Sequence, residues 1–468
     1  MSLWKKRQDG GDNPAIHLGT FKLRLPFIHY RFEWPDYFQG LLMCAVDLAA
    51  IPLLIELLGM PFEAALAIVM LNGFLYLMHH LLGDPVVPGW ITPAIPLIMV
   101  YVETFEMGPD RVKALMAFQL MLGLFTIFLG VIKWAKKVVF SIPSAIKSGI
   151  IIGAGIAAIN SVFSAGGRFD LFPFSISITL GLAFYLIYSK HFSEIKERYK
   201  LLSLVGNLGI LPIILLAVCI SPLLKEANWP VMEWGLSKPN FELMINEYTV
   251  FGVGFPPLNM FLSAIPTALA TYVVLFGDVL QSEAILKEAD DKRHDEKIDY
   301  NPNRAHLIFG GRNSLMSFIG PDITMCGPLW AAMHIVIVER YKKGKKAMHS
   351  IIGGSGSFRW GTNTGLLLLP IVTFVKPILG IALALTLIIQ GFVSVRIGFL
   401  ESKSLKDLGI AGVIAGVVVS KGAGWAFAVG ILLVFLIYGK KFFIEGGEDD
   451  SKIFSKIKKI CSILNSIN

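Results

Sequence analysis

The feature that most constrains this 468-residue chain is a succession of apolar runs, each close to the ~20 residues an α-helix needs to cross hydrocarbon. Seven fall near 37–59, 62–83, 86–104, 111–132, 140–164, 171–189 and 203–224. Seven more follow near 256–286, 303–319, 320–340, 347–373, 375–395, 407–420 and 422–438. Residues are 54% hydrophobic and 16% charged, against roughly a quarter charged in soluble domains. The expected fold class is therefore an all-α polytopic membrane protein with 14 transmembrane segments. The first 36 residues are polar and hold no short apolar core with a cleavage site, so the first span is expected to direct insertion itself.

Positive charge tests the count independently, because cytoplasmic loops collect Lys and Arg. With the amino terminus inside, the inner pieces, which hold the strings "KKR", "KWAKK", "KHFSEIKERYK", "KEADDKRHDEK", "ERYKKGKK", "RIGFLESKSLK" and "GKK" along with further Lys and Arg at both ends of the chain and Arg304, carry 32 of the 42 basic residues. The outer loops carry six and the spans four (Lys147, Arg312, Arg359, Lys376). Basic loops on either side also force residues 347–395 to cross twice. The net charge of +8 thus sits on membrane-flanking loops rather than on a soluble basic face, and nucleic acid is not an expected partner. The expected organisation is a cytoplasmic segment (1–35), a first seven-span repeat (36–225), an extracytoplasmic loop (226–254), a second repeat (255–438) and a Lys-rich cytoplasmic tail (439–468) with no regulatory domain. Seven plus seven with both ends inside inverts the second set relative to the first, the arrangement of inverted-repeat transporters.

Two crossings at equivalent repeat positions are interrupted. Span three, "DPVVPGWITPAIPLIMVYVE", holds Pro85, Pro88, Pro93 and Pro96; span ten, "SFIGPDITMCGPLWAAMHIVIV", holds Gly320, Pro321, Asp322, Gly327 and Pro328. Each is expected to be half extended and half helical, with Pro93 and Pro328 at the first helical position, where a missing N–H costs little. Non-helical backbone at membrane depth is tolerated only where it is buried in protein or lines a cavity, so the two breaks should meet there. A half-helix amino terminus offers free N–H groups and about half a positive charge, which suits an anion or a polar ring. The expected substrate-binding groups are Thr92, Ala94, Thr324, Cys326, Gly327 and Leu329.

Ionisable residues inside hydrocarbon cost about 2.5 to 3.5 kcal/mol on insertion scales and need a reason. Asp47 and Asp278 lie in the first span of each half. Gln281 and Ser282 share a helix face with Asp278 and make a polar stripe. Asp278 reads either as a substrate or coupling-ion ligand or as half of a buried ion pair with Arg312 or Lys147; Arg312 either balances Asp278 or attracts an anion. Lys147 and Lys376 sit near span ends and can snorkel, and His79 and His80 read as interfacial, with proton handling as the alternative.

Several chemistries are excluded. Four cysteines (Cys44, Cys219, Cys326, Cys461) show no metal spacing, and no HxxxH pair occurs, so no metal site is expected. "GGSGSFRWG" lacks the ending of a phosphate loop and reads as close helix packing. No Ser/His pair, HExxH or Asp dyad marks an enzyme.

"DYNPNRAHLIFGGRNSLMSFIGPDITMCGPLWAAM" resembles the region of sulfate-permease-type anion transporters where a "DPNRE"-like entry leads through an Asn-containing ninth span into a glycine-rich span ten. It also resembles uracil and xanthine permeases, and "FSIPSAIKSGIIIGAGIAAI" is similar to their fifth span. The resemblance covers roughly residues 36–438. It implies a core domain (spans one to four and eight to eleven) moving against a gate domain (five to seven and twelve to fourteen), with substrate between spans three and ten and Asp278 facing it. It further implies a bacterial inner-membrane protein and a homodimer. Two departures stand out: the second carboxylate of nucleobase permeases is replaced by Gly327 or Pro328, and the Arg that anion permeases carry beyond the start of span ten is missing. The expected function is secondary active transport of a small inorganic anion or carboxylate, with Na+ or H+ as coupling ion and no cofactor; the alternative is a nucleobase permease.

Overall fold

The computed structural model describes residues 7–199, 202, 205–206 and 210–439. The Lys-rich tail, apart from Gly439, and much of the start of span seven lie outside the described residues. Among the described residues seven helices are long and apolar enough to cross a membrane: Trp34–Leu58, Phe62–Leu81, Pro109–Val131, Ser144–Leu171, Leu258–Lys292, Leu369–Glu401 and Leu405–Tyr438. Thr92–Val102, Pro173–Tyr188 and Leu211–Leu223 are shorter and equally apolar. This is a multi-pass membrane protein.

The longest runs are compound. Trp34–Leu48 hands over to Ile51–Leu58 through Ala49 and Ala50. Leu405–Tyr438 is interrupted at Gly422, whose φ of 79° and ψ of −179° no helix contains. There the chain folds back: the Tyr438 hydroxyl donates to Asp407 Oδ1 at 2.8 Å and lies 3.2 Å from Ser404 Oγ. In a straight helix residues 407 and 438 would be about 45 Å apart. Glycine meets the positive φ without a Cβ penalty, and the reversal falls at the sequence boundary drawn between 407–420 and 422–438.

Helices meet where small residues let backbones approach, because lipid supplies no hydrophobic drive between them. Trp34–Leu48 lies against Ile351–Leu367, Pro109–Val131 against Pro302–Ile319, and Ser144–Phe163 against both Leu379–Glu401 and the 405–438 hairpin. The glycine-rich stretch of "GGSGSFRWG" is thus helix. A Cβ on Gly361 would stand 2.1 Å from Tyr37 O, and one on Gly40 would stand 2.0 Å from Phe358 O.

The amino-terminal segment is more than a polar leader. Ile16–Leu18 pairs antiparallel with Phe21–Leu23. Lys22 N and Arg24 N donate to Leu82 O and Leu81 O at 3.1 and 2.9 Å, and Lys297 N donates to Gly11 O at 3.1 Å. Ion pairs join Asp12 to Lys22 and Arg24, and Asp299 to Lys22 and Arg304. Arg7 pairs with Asp295 at 2.9 Å and donates to His349 O at 3.2 Å. Arg293 grips Asp295 as well, at 2.5 and 2.9 Å, and holds its carboxyl below the usual carboxylate range. The segment is therefore strapped to the 81–84, 293–301 and 343–350 loops.

Candidate functional site

Residues 84–91 and 320–330 are non-helical, the second with a turn at 323–324, and cross side by side. Gly89 and Gly327 exchange backbone hydrogen bonds, Gly327 N to Gly89 O at 2.7 Å and Gly89 N to Gly327 O at 3.3 Å. Trp330 N donates to Val87 O at 2.7 Å, and Ile91 N to Thr324 O at 3.1 Å. Past the crossing, a 3-10 turn over Thr92–Ala94 leads into the Ile95–Val102 helix, with Pro93 in the first turn as expected. The second half-helix begins at Ala331, not at Pro328, because residues 327–330 are committed to the crossing.

Side chains from neighbouring helices fix the second break. Asp322 accepts from Thr324 N at 3.0 Å, Thr324 Oγ1 at 2.6 Å and Asn72 Nδ2, while its own N–H donates to Gln119 Oε1 at 3.0 Å. Asn313 clamps Cys326 through both backbone groups, accepting from N at 2.8 Å and donating to O at 3.0 Å. Met325 is held at φ 52°, a left-handed conformation uncommon for a non-glycine residue. These bonds correct part of the expected ligand set. Thr324, Cys326 and Gly327 spend their polar groups on holding the break, and Ala94 is buried without lining the cavity.

That cavity is lined by Val46, Asp47, Gly89, Trp90, Thr92, Leu329, Trp330, Arg359, Thr386 and Gln390. Val46, Trp330, Thr386 and Gln390 also line a wider cleft that runs out past Asp36, Lys196, Arg340 and Lys343. Arg359, fully buried, is the residue that sequence reasoning left without a role. Its Nη1 donates to Asp47 Oδ2 at 3.1 Å and its Nη2 to Pro88 O, while Nε has no hydrogen-bond partner. The guanidinium carbon stands 4.1 Å from the Tyr76 ring centroid and 5.0 Å from that of Trp330. The cavity is thus walled by a guanidinium, a carboxylate bound to it, two indoles and the residues that lead into the two half-helices, Leu329 and Trp330 before Ala331 and Thr92 before Ile95. A signal existed in the sequence: an Arg inside an apolar run, set among glycines.

The remaining sequence candidates lie elsewhere. Asp278, Gln281 and Ser282 do not line the cavity. They occupy the later part of Leu258–Lys292, where the Tyr300 hydroxyl donates to Val279 O at 3.5 Å and Glu283 pairs with Lys136. Ser282 Oγ donates to Asp278 O at 2.8 Å, and the Asp278 carboxylate makes no ion pair with Arg312 or Lys147. Arg312 donates to Asn72 O at 2.9 Å and covers Tyr76, and Lys147 pairs with Glu401. His79 and His80 are buried rather than interfacial, with His79 Nδ1 2.9 Å from Asp84 Oδ2 and Nε2 3.4 Å from Cys326 Sγ. Among the described residues no cluster of His, Cys, Asp or Glu has metal-binding geometry.

No family model matches this sequence, and no curated protein matches it. Among solved structures, the transmembrane domain of a cyanobacterium bicarbonate transporter, BicA, superposes with a TM-score of 0.53 at 16% identity, over 85% of this chain and 96% of that one. SLC26A9 superposes with a TM-score of 0.54 at 15% identity, over 86% of this chain and 65% of that one. The chain therefore spans less than two thirds of SLC26A9. At these identities the shared property is the fold, which agrees with the anion-permease side of the resemblance and says nothing of nucleobase permeases.

Proposed function

We propose that this protein is a secondary transporter for a small anion, inorganic or carboxylate, which binds where the two interrupted segments cross. The observation that carries the reading is Arg359: a buried guanidinium in the wall of a cavity that Leu329 and Trp330, the residues leading into a half-helix, also line. The guanidinium presents hydrogen-bond donors and positive potential, the chemistry that recognises carboxylate, bicarbonate or sulfate oxygens. Arg359, brought from a neighbouring helix, replaces the charge missing beyond the start of span ten. Its lone carboxylate partner Asp47 keeps the empty site near neutrality. A nucleobase would need a free carboxylate to accept its ring N–H, and Asp47 is engaged by Arg359. The fold shared with a protein titled a bicarbonate transporter supports the anion class.

The mechanism we infer is alternating access in a fourteen-span, seven-plus-seven inverted repeat, with the gate bundle (spans five to seven and twelve to fourteen) sliding on the core bundle. The cleft past Arg340 and Lys343, on the Lys- and Arg-rich side, is the open path, so the conformation described is inward-facing. Coupling to H+ or Na+ supplies the driving force.

The test is uptake of radiolabelled bicarbonate, sulfate and acetate into proteoliposomes. Saturable flux of at least one, abolished in Arg359→Met and retained in Asp278→Asn, is expected. Absence of flux for all three, or flux indifferent to Arg359→Met, would overturn the reading.

A further inference from the structure

Behind the crossing lies a polar chain that the cavity does not use. Asp84, His79 and Cys326 are 1%, 0% and 0% exposed. They come from three different pieces of chain: the start of the first extended segment, the end of the Phe62–Leu81 helix, and the second break. His79 Nδ1 is 2.9 Å from Asp84 Oδ2, so the carboxylate fixes a proton on Nδ1 and leaves Nε2 facing the thiol at 3.4 Å. Sγ has one other acceptor in reach, Gly327 O at 3.6 Å. That same carbonyl accepts from Gly89 N at 3.3 Å in the crossing, and Gly89 lines the cavity.

We propose that His79 is the proton-binding site that couples proton entry to substrate movement, transmitting its state through the Cys326 thiol to the Gly89–Gly327 crossing. The proposal rests on the anion-carrier reading and names its coupling ion. With His79 neutral, the thiol hydrogen points to Nε2. When a proton from the bulk binds Nε2, that nitrogen becomes a donor to sulfur, and the thiol hydrogen must turn to Gly327 O. There it becomes a second donor on the carbonyl that accepts from Gly89 N, which weakens that long bond and loosens the crossing beside the cavity. The added charge is balanced by Asp84, so the protonated state is a buried His–Asp ion pair rather than an isolated cation. The other charged or titratable groups around this chain are His80 on the same helix and His334 on Ala331–Lys342, whose Nδ1 accepts from Val87 N at 3.4 Å. Tyr300 and Arg304 face Asp84, with Arg304 Nη2 on Gly83 O at 2.9 Å. Arg312 hydrogen-bonds the Cys326 side chain, Tyr76 also faces Cys326, and Arg359 faces His80.

Proteoliposomes at clamped membrane potential test this with bicarbonate, sulfate and acetate as probes. Symport of one proton per turnover lets wild type accumulate a transported probe, above protein-free vesicles, about tenfold across a one-unit pH gradient with the acid side outside. His79→Gln is expected to lose that accumulation, and Cys326→Ser, which keeps a hydroxyl hydrogen, to keep it. Saturable wild-type flux that ignores the pH gradient overturns the proton assignment and leaves the carrier reading standing; no flux of any probe overturns the carrier reading itself. His79→Gln accumulating like wild type also overturns the proposal. Should His79→Gln fail to fold, the infrared S–H stretch of wild type, assigned by subtraction of Cys326→Ala, decides. It must shift on acidification as the acceptor changes from imidazole to carbonyl, and a band that stays fixed sinks the relay.

Discussion

Arg312 and Arg359 share one aromatic ring: their guanidinium carbons stand 4.0 and 4.1 Å from the Tyr76 centroid. Arg359 has Asp47 as an ion-pair partner, whereas Arg312 has no carboxylate within ion-pair distance among the described residues. The ring therefore supplies to Arg312 the negative potential that a carboxylate supplies to Arg359. The Tyr76 hydroxyl makes no hydrogen bond. Tyr76→Phe should then leave stability unchanged to within about 0.5 kcal/mol. Tyr76→Leu should cost about 2 kcal/mol or more, the scale of a desolvated cation–π contact. Thermal unfolding in detergent separates the two.

The Asp47–Arg359 pair lends itself to a double-mutant cycle. Arg359→Met leaves a buried carboxylate uncompensated and should destabilise by about 3–5 kcal/mol. Adding Asp47→Asn should recover most of that loss in unfolding experiments while transport stays absent. Recovery of transport together with stability would show that Arg359 serves folding alone.

Two glycines on different helices give a paired control for the packing. Gly361→Ala places a methyl 2.1 Å from Tyr37 O and should cost at least about 1–3 kcal/mol by overpacking. Gly311→Ala, with open space around its Cβ position, should be neutral or slightly stabilising. Equal effects in a thermal-shift assay would contradict the close contact of Trp34–Leu48 with Ile351–Leu367.

The strap at the amino terminus is expected to respond to acid through His349, in the loop after Ala331–Lys342. Burial, with Arg7, Lys345, Arg31 and Arg293 nearby, lowers its pKa to about 4. A base with a depressed folded-state pKa favours the folded state fully above its unfolded value, about 6.5, and loses that stability as pH falls toward about 4. The urea midpoint should therefore decline across that window, and His349→Gln should flatten that decline.

The two interruptions were legible because proline and glycine punctuate an apolar run in any register, and a bilayer forbids unpaired backbone outside a cavity. What completes the cavity was not legible. Arg359 lies 29 positions beyond Trp330, and nothing in local spacing says that a glycine-rich helix returns to the break. Asp278 shows the complementary failure: spacing at i, i+3 and i+4 reveals a shared face but carries no information on depth or on which neighbour that face meets. The buried His79–Cys326 contact escaped for the same reason, since its partners are 247 positions apart. The amino-terminal hairpin was hidden because its ion pairs, such as Lys22 with Asp299, join residues remote in sequence.

That strap has a mechanical consequence. Its attachments at 81–84, 293–301 and 343–350 all belong to the bundle that carries the crossing segments, and none reaches the 405–438 hairpin or Pro173–Tyr188. A buckle closed across the proposed core bundle alone would stiffen that bundle against bending. Under the proposed mechanism, displacement of the gate bundle is then taken up beside Thr386 and Gln390, which line both the cavity and the cleft.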